Sequence, residues 1–259
     1  MPVSRSEKRK NKALAFRAKK QGTRDSKPPQ PLQSYLDRAN KPPMRLAKPQ
    51  PLLLILDLNG TLLHRPNRSS SSHFVSRNDV APFVAHILDA YHVMVWSSAK
   101  PENVELMCRK IFSPEQSQKV LLEWGRDKLI NPFDRSYNQK TQVYKQLERV
   151  WNDPLIRCSH PTPDYKWSAW NTVLIDDSFL KASTEPHNIV VVPEFKGKKD
   201  GETGGANVLR QVAAYIDEAR WYKDVSSYMR ENPFQAVPDW NGASPLDGYG
   251  SLNGQPRVG

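Results

Sequence analysis

Only two cysteines, Cys108 and Cys158, occur in 259 residues, and neither has a partner at metal-ligand spacing. No disulfide framework and no cysteine-zinc site is therefore expected; a reducing compartment suits both thiols, which read as inert packing residues. Long apolar runs are also missing. The longest uninterrupted aliphatic stretch is Leu52–Leu56, against the roughly 20 residues a helix needs to span a bilayer. The residues after Met1 lead into Arg5, Lys8, Arg9 and Lys10, so no secretory leader is expected. Acidic residues are scarce only at the beginning: residues 1–50 contain fourteen Lys or Arg and three Asp or Glu. That imbalance accounts for the whole net charge of +11, and the remaining residues carry 24 of each sign. A body with no positive excess argues against specific nucleic-acid binding, although the N-terminal segment alone can touch polyanions.

The scarcity of apolar residues in residues 1–50 predicts a disordered tail. It combines a basic cluster (Lys8, Arg9, Lys10, Lys12, Arg17, Lys19, Lys20) with prolines at 28, 29, 31, 42, 43 and 49. Such a tail serves either as a nuclear-localisation segment that binds an import receptor or polyanion, or as a solubilising extension. A mitochondrial presequence fits less well, because the segment leans on Lys and includes Glu7 and Asp25. The nucleus is thus the expected location, with mitochondrion and cytoplasm as alternatives. From about Pro233, Pro, Gly, Asn and Ser accumulate. The organisation expected is a tail over 1–50, one domain over 51–234 and a second tail over 235–259.

Within the domain, strand and helix signals alternate. Leu52–Leu56 is apolar at every position, as a strand buried on both faces must be. Val80, Phe83, Val84, Ile87 and Leu88 have helical spacing, with Asn78 or Asp79 as N-cap. His92–Trp96 is a second strand, and a helix begins near Pro101. Thr141–Trp151 reads as another helix, Thr172–Ile175 and Asn188–Val192 as two more strands, and residues 203–230 as helical. Strands interleaved with helices predict right-handed crossovers: an α/β fold with a doubly wound, mostly parallel sheet flanked by helices.

The strand ends carry the chemistry. In open α/β sheets the ligand crevice lies beyond the carboxyl ends of the strands. The first strand ends in Asp57-Leu58-Asn59-Gly60-Thr61, the second in Ser97-Ser98 and the third in Asp176-Asp177-Ser178. One Asp after a strand is most often a turn residue. Adjacent carboxylates repel unless a cation neutralises them, so a hard-metal site explains Asp176 and Asp177 economically. Convergence of all three strand ends on one edge points to a single site.

Asp57–Thr61, Val95–Ser98, Lys145-Gln146-Leu147 and Ile175–Ser178 resemble the four motifs of the haloacid-dehalogenase (HAD) superfamily. Within it the likeness is to carboxy-terminal-domain phosphatases of the FCP/SCP type, also called NLI-interacting-factor-like proteins. It covers roughly residues 50–235, including Val75-Ser76-Arg77. The motif spacing leaves no room for a large cap domain, as in a subfamily whose open site accepts protein side chains. The resemblance implies that Asp57 is the nucleophile that becomes an aspartyl phosphate. It implies that Ser97 bonds the phosphoryl oxygens and that Lys145 neutralises the nucleophile and the transferring group, with Lys140 as the competing lysine. Asp57, Asp176, Asp177 and the backbone carbonyl of Asn59 would hold Mg²⁺. Thr61, Ser98 and Arg77 are candidates for contacting the substrate; Arg77 and Arg126 are equally readable as ordinary surface arginines.

Asn59 departs from the family pattern, which has Asp there as general acid and then general base. An amide has no proton to give or take near neutral pH. General acid–base help is worth about 10²–10⁴ in rate, so weakened turnover is expected, with metal binding intact. His64 or His73 could stand in as proton donor, or be merely exposed; Ser69–Ser72 reads as a flap loop. Trp124, Trp151 and Trp167 read as packing residues. Three functions accord with the resemblance. The first is a Mg²⁺-dependent phosphoserine/phosphothreonine protein phosphatase acting on an extended peptide. The second is a pseudophosphatase that binds a phosphopeptide or protein partner. The third is a presequence receptor of the mitochondrial inner-membrane translocase, a family with a membrane helix and eroded motif carboxylates, whereas Asp57, Asp176 and Asp177 persist here.

Overall fold

Leu53–Leu56 (β1) is the central strand of the protein, and all four of its side chains are buried. The structure is a computed structural model that describes residues 28–66, 74–129, 143–197 and 207–249. After β1, Leu63–His64 (β2) and Val75–Ser76 (β3) form a small antiparallel hairpin. His92–Trp96 (β4), Val120–Trp124 (β5), Thr172–Asp176 (β6) and Ile189–Val191 (β7) complete a five-stranded sheet in the order β5-β4-β1-β6-β7. Every neighbouring pair is parallel. The chain leaves β1 towards β4 and β5, then returns to the other side of β1 for β6 and β7. The connection therefore reverses direction at β1, and such a switch point is where open sheets leave a crevice.

Because successive strand side chains point to opposite faces, β1 divides itself between two cores. Leu54 and Leu56 join Val93, Val95, Val173 and Ile175 on one face. That face is covered by Val80–Ala90, Pro101–Ile111, Val208–Ala219 and Val225–Glu231, the long helices of the domain. Leu53 and Ile55 join Met94, Trp96 and Leu174 on the other, beneath Leu147, Val150, Ile156 and Trp167. The expected doubly wound, mostly parallel α/β sheet is thus present, with long helices on one face and short ones on the other. Cys108 is buried in the first core, but Cys158 is exposed and not a packing residue.

Several expectations need correction. The strand Val120–Trp124 was not anticipated, because its exposed Glu123 and half-buried Val120–Leu122 blur the apolar pattern of an edge strand. The helix expected over Thr141–Trp151 begins, among the described residues, at Leu147. Residue 145 cannot be helical in the usual way, since its N–H donates to the Lys181 carbonyl at 2.7 Å. Asp79 does sit at the N-cap of Val80–Ala90, but in a left-handed conformation and with no side-chain capping bond. The helical stretch near the C-terminus is two helices, the second restarted by Asp224, whose side chain accepts from the Ser226 N–H. The basic cluster of residues 1–27, Ser69–Ser72, His73, Lys140, residues 198–206 and residues 250–259 lie outside the described residues.

Residues 28–50 and 235–249, expected within the tails, are among the described residues and pack on the domain. Gln33–Ala39 is a helix with Tyr35 and Ala39 buried, and Arg38 pairs with Asp224 at 2.9 Å. Averaging over fifty residues hid this short amphipathic segment between prolines. At the other end Val237 exchanges two bonds with Gln211, and Leu246 is buried in the core. The Tyr35 hydroxyl accepts from the His187 N–H at 2.8 Å and donates to Asn188 Oδ1 at 3.0 Å. Tyr35→Phe keeps the volume but leaves those groups unpaired, at a cost of about 1–3 kcal/mol. A melting midpoint lower by several degrees is the expected result; an unchanged midpoint would show that the 33–39 helix does not dock.

Candidate active site

The pairing of β1 with both neighbours decides which side chains meet. Leu56 is in register with Val95 and with Ile175, so Asp57, Trp96-Ser97 and Asp176 emerge together at the carboxyl edge. The Asp57 N–H still belongs to the sheet, donating to the Ile175 carbonyl at 2.9 Å. The chain then closes tightly. The Leu58 carbonyl accepts from Thr61, Leu62 and Leu63, and Gly60 takes φ +91°. A Cβ at Gly60 would collide with the Asp177 carboxylate as well as strain the backbone, so glycine is required there.

Lys145 is fully buried and bridges two carboxylates, Asp57 Oδ1 at 3.0 Å and Asp176 Oδ2 at 2.6 Å. Its bond from backbone to Lys181 and the acceptance of the Leu147 N–H by Glu185 at 3.1 Å fix the segment that carries it. Burial raises the Glu185 carboxyl above the usual range, and the Thr184 hydroxyl and the Leu147 N–H partly offset this. The Thr61 hydroxyl donates to Asp57 Oδ2 at 3.3 Å. Ser97 is buried; its N–H donates to the Trp124 carbonyl and its Oγ accepts from the Ala99 N–H at 3.3 Å. Ser98 follows at the same edge, half-buried.

A second lysine was missed at the level of sequence. Lys181 stands on the turn Phe179–Ala182. Its ammonium reaches Asp176 Oδ1 at 2.8 Å, Asp177 Oδ1 at 3.1 Å and Asp57 Oδ2 at 3.4 Å. Burial disfavours its charge, but the three carboxylates outweigh that and hold it above the ordinary lysine range. The signal that could have found it is the i, i+4 spacing from Asp177.

Other candidates have different places. Asn59 is exposed, and its Oδ1 accepts from the Arg65 N–H at 2.9 Å. Arg77 is buried: it donates to the carbonyls of Thr61 (2.9 Å) and Pro193 and lies over the Phe195 ring. It therefore braces the loop after Asp57 from behind and is not presented as a surface charge for substrate, contrary to the expectation. Arg126 is half-buried at the turn after β5. His64 packs its ring against Gly197. Trp124 meets Trp96 edge-on, Trp151 donates to Thr172 and Trp167 to Ser159, all packing roles.

The donor set fits a hard divalent cation by its chemistry. Asp57, Asp176 and Asp177 each offer an oxygen, and the three lie within 4.8 Å of one another. Among the described residues no helix is long and apolar enough to cross a membrane.

The family model for "NLI interacting factor-like phosphatase" matches residues 52–226. An uncharacterized FCP1 homology domain-containing protein of Schizosaccharomyces pombe is 31% identical over 219 residues, covering 82% of this chain and 88% of that protein. Among solved structures, one of the fission yeast RNA polymerase II CTD phosphatase Fcp1 bound to beryllium fluoride aligns at 15% identity and TM-score 0.38, over 66% of this chain and 50% of that one. Another structure of Fcp1, described as an essential RNA polymerase II CTD phosphatase, aligns at 17% identity and TM-score 0.36, over 73% and 56%. The chain thus spans about half the length of these solved proteins.

Proposed function

The chain belongs to the NLI interacting factor-like phosphatase family, and from that premise we propose that it is a phosphoserine/phosphothreonine protein phosphatase whose second half-reaction is slow. One observation carries the reading. Asp57 is buried at the carboxyl end of the central strand, with Lys145 bonded to one of its oxygens.

The Asp57, Asp176 and Asp177 carboxylates and the Asn59 carbonyl would hold Mg²⁺, which would supply charge neutralisation for the phosphoryl oxygens. The chain's own groups do the rest. An Asp57 carboxylate oxygen attacks phosphorus; the new O–P bond forms as the bond to the substrate oxygen breaks. Lys145, bonded to Asp57 Oδ1, offsets the repulsion between that carboxylate and an electron-rich phosphoryl group. Ser97 and Thr61 supply hydroxyls at the same edge. The departing alkoxide takes its proton from water, since the Asn59 amide has none to give. Water then attacks the aspartyl phosphate, releasing inorganic phosphate and the Asp57 carboxylate, and here too Asn59 cannot serve as base.

An aryl phosphate, whose leaving group needs no proton, tests this with Mg²⁺ present. The expected result is a burst approaching the enzyme concentration, slow turnover afterwards and phosphate recovered on Asp57; Asp57→Asn loses the burst. A second reading is favoured by Asn59: a pseudophosphatase that binds phosphopeptides. Absence of both burst and turnover, with a phosphopeptide still bound, would replace the first reading by the second.

A further inference from the structure

The Lys181 ammonium lies among the three carboxylates that make up the candidate metal site. It contacts Asp57 Oδ2, Asp176 Oδ1 and Asp177 Oδ1 at 3.4, 2.8 and 3.1 Å. Lys145 approaches the same cluster from another side, on Asp57 Oδ1 and Asp176 Oδ2. The two lysines therefore divide the carboxylate oxygens between them. Lys145 is fully buried, whereas 12% of the Lys181 side chain is exposed, on a turn flanked by the exposed Phe179 and Leu180. Only Lys181 has a route outwards.

A divalent cation takes carboxylate oxygens at about 2.0–2.6 Å. Unlike Lys145, which touches two of the carboxylates, the Lys181 ammonium sits against all three, where an ion drawing on the same three would sit, and two cations that close repel. We propose that Lys181 is a tethered counter-ion that occupies the metal's position, and that a divalent cation binds only by displacing it outwards. The inference rests on the metal-dependent phosphatase reading and adds a regulation to it. Metal affinity is lowered by the fraction of molecules with the lysine out, and the turn 179–182 moves when metal enters. A state with the lysine in remains neutralised and folded without metal, because Lys181 removes the mutual repulsion of the carboxylates.

The experiment compares Mg²⁺ binding to the full chain and to Lys181→Met by titration calorimetry and by Mg²⁺-induced thermal shift. A lysine-out state of about 1–10% implies roughly 10- to 100-fold tighter binding in Lys181→Met. Lys181→Gln, which keeps N–H donors without charge, serves if the methionine variant folds poorly; it is expected to bind more tightly than the full chain too. Displacement itself is read by acylation of Lys181 with an N-hydroxysuccinimide ester and peptide mass spectrometry; Mg²⁺ should raise its labelling several-fold. Equal affinity in the full chain and both variants, or labelling that Mg²⁺ leaves unchanged, overturns the proposal and leaves the metal site standing. Absence of Mg²⁺ binding in all three proteins overturns it together with metal dependence. The burst on aryl phosphate reports separately on Asp57.

Discussion

Asn59→Asp is expected to raise steady-state hydrolysis of a phosphoserine peptide about 10²-fold or more, which is what a restored acid–base group contributes. The structure makes the exchange easy to interpret. Asn59 is exposed, and its Oδ1 accepts from the Arg65 N–H, a bond that an Asp carboxylate oxygen can also accept. The substitution therefore alters proton transfer without disturbing the turn that holds Gly60 and Thr61. The effect should be larger on a serine phosphate than on an aryl phosphate, because the alkoxide depends more on protonation. Asn59 precedes Gly60, and Asn-Gly deamidates readily, so mass spectrometry of the peptide spanning residues 57–61 must accompany each assay. If fresh, undeamidated protein already matches Asn59→Asp, another group supplies the proton, and His64 is the first to be replaced.

Lys145→Met should be the most damaging single change to the site. It leaves Asp57 and Asp176, both buried, without the cation that bridges them. Breaking a buried ion pair on one side costs about 3–5 kcal/mol, or roughly 10 °C in melting midpoint for a domain of this size. Lys181 still touches both carboxylates, which places the result towards the lower end of that range. Asp176→Asn in the Lys145→Met background should recover part of the loss, giving a coupling energy of order 1 kcal/mol or more. The phosphoenzyme burst should disappear with Lys145. A variant that melts with the parent and keeps its burst would transfer the role to Lys140.

Much of the site was legible because its signals are local. An apolar run ending in Asp57, a second ending in Ser97 and a third ending in Asp176-Asp177 locate the carboxyl edge of a parallel sheet without any knowledge of contacts. Asn59 is equally legible, since the chemistry of an amide does not depend on its surroundings. Arg77 was different: its residue type suggested a charge for substrate, and only the carbonyls of Thr61 and Pro193 that surround it reveal a brace. Tyr35 sits in a stretch whose prolines and basic residues dilute its apolar signal, yet it bonds residues 187 and 188.

By itself, then, the amino-acid sequence determined the doubly wound sheet, the edge at which Asp57, Ser97, Asp176 and Asp177 gather, and the amide at position 59. Each follows from periodicity, a strand end or a functional group, and all are properties of a few consecutive residues. The tertiary structure alone decided that Lys145 spans Asp57 and Asp176, that Lys181 joins all three carboxylates, and that residues 28–50 and 235–249 pack on the domain. Those facts depend on which distant segments are brought within about 3 Å of one another. No periodicity encodes that: a buried ammonium and a solvated one are the same letter, and only the carboxylates around it tell them apart.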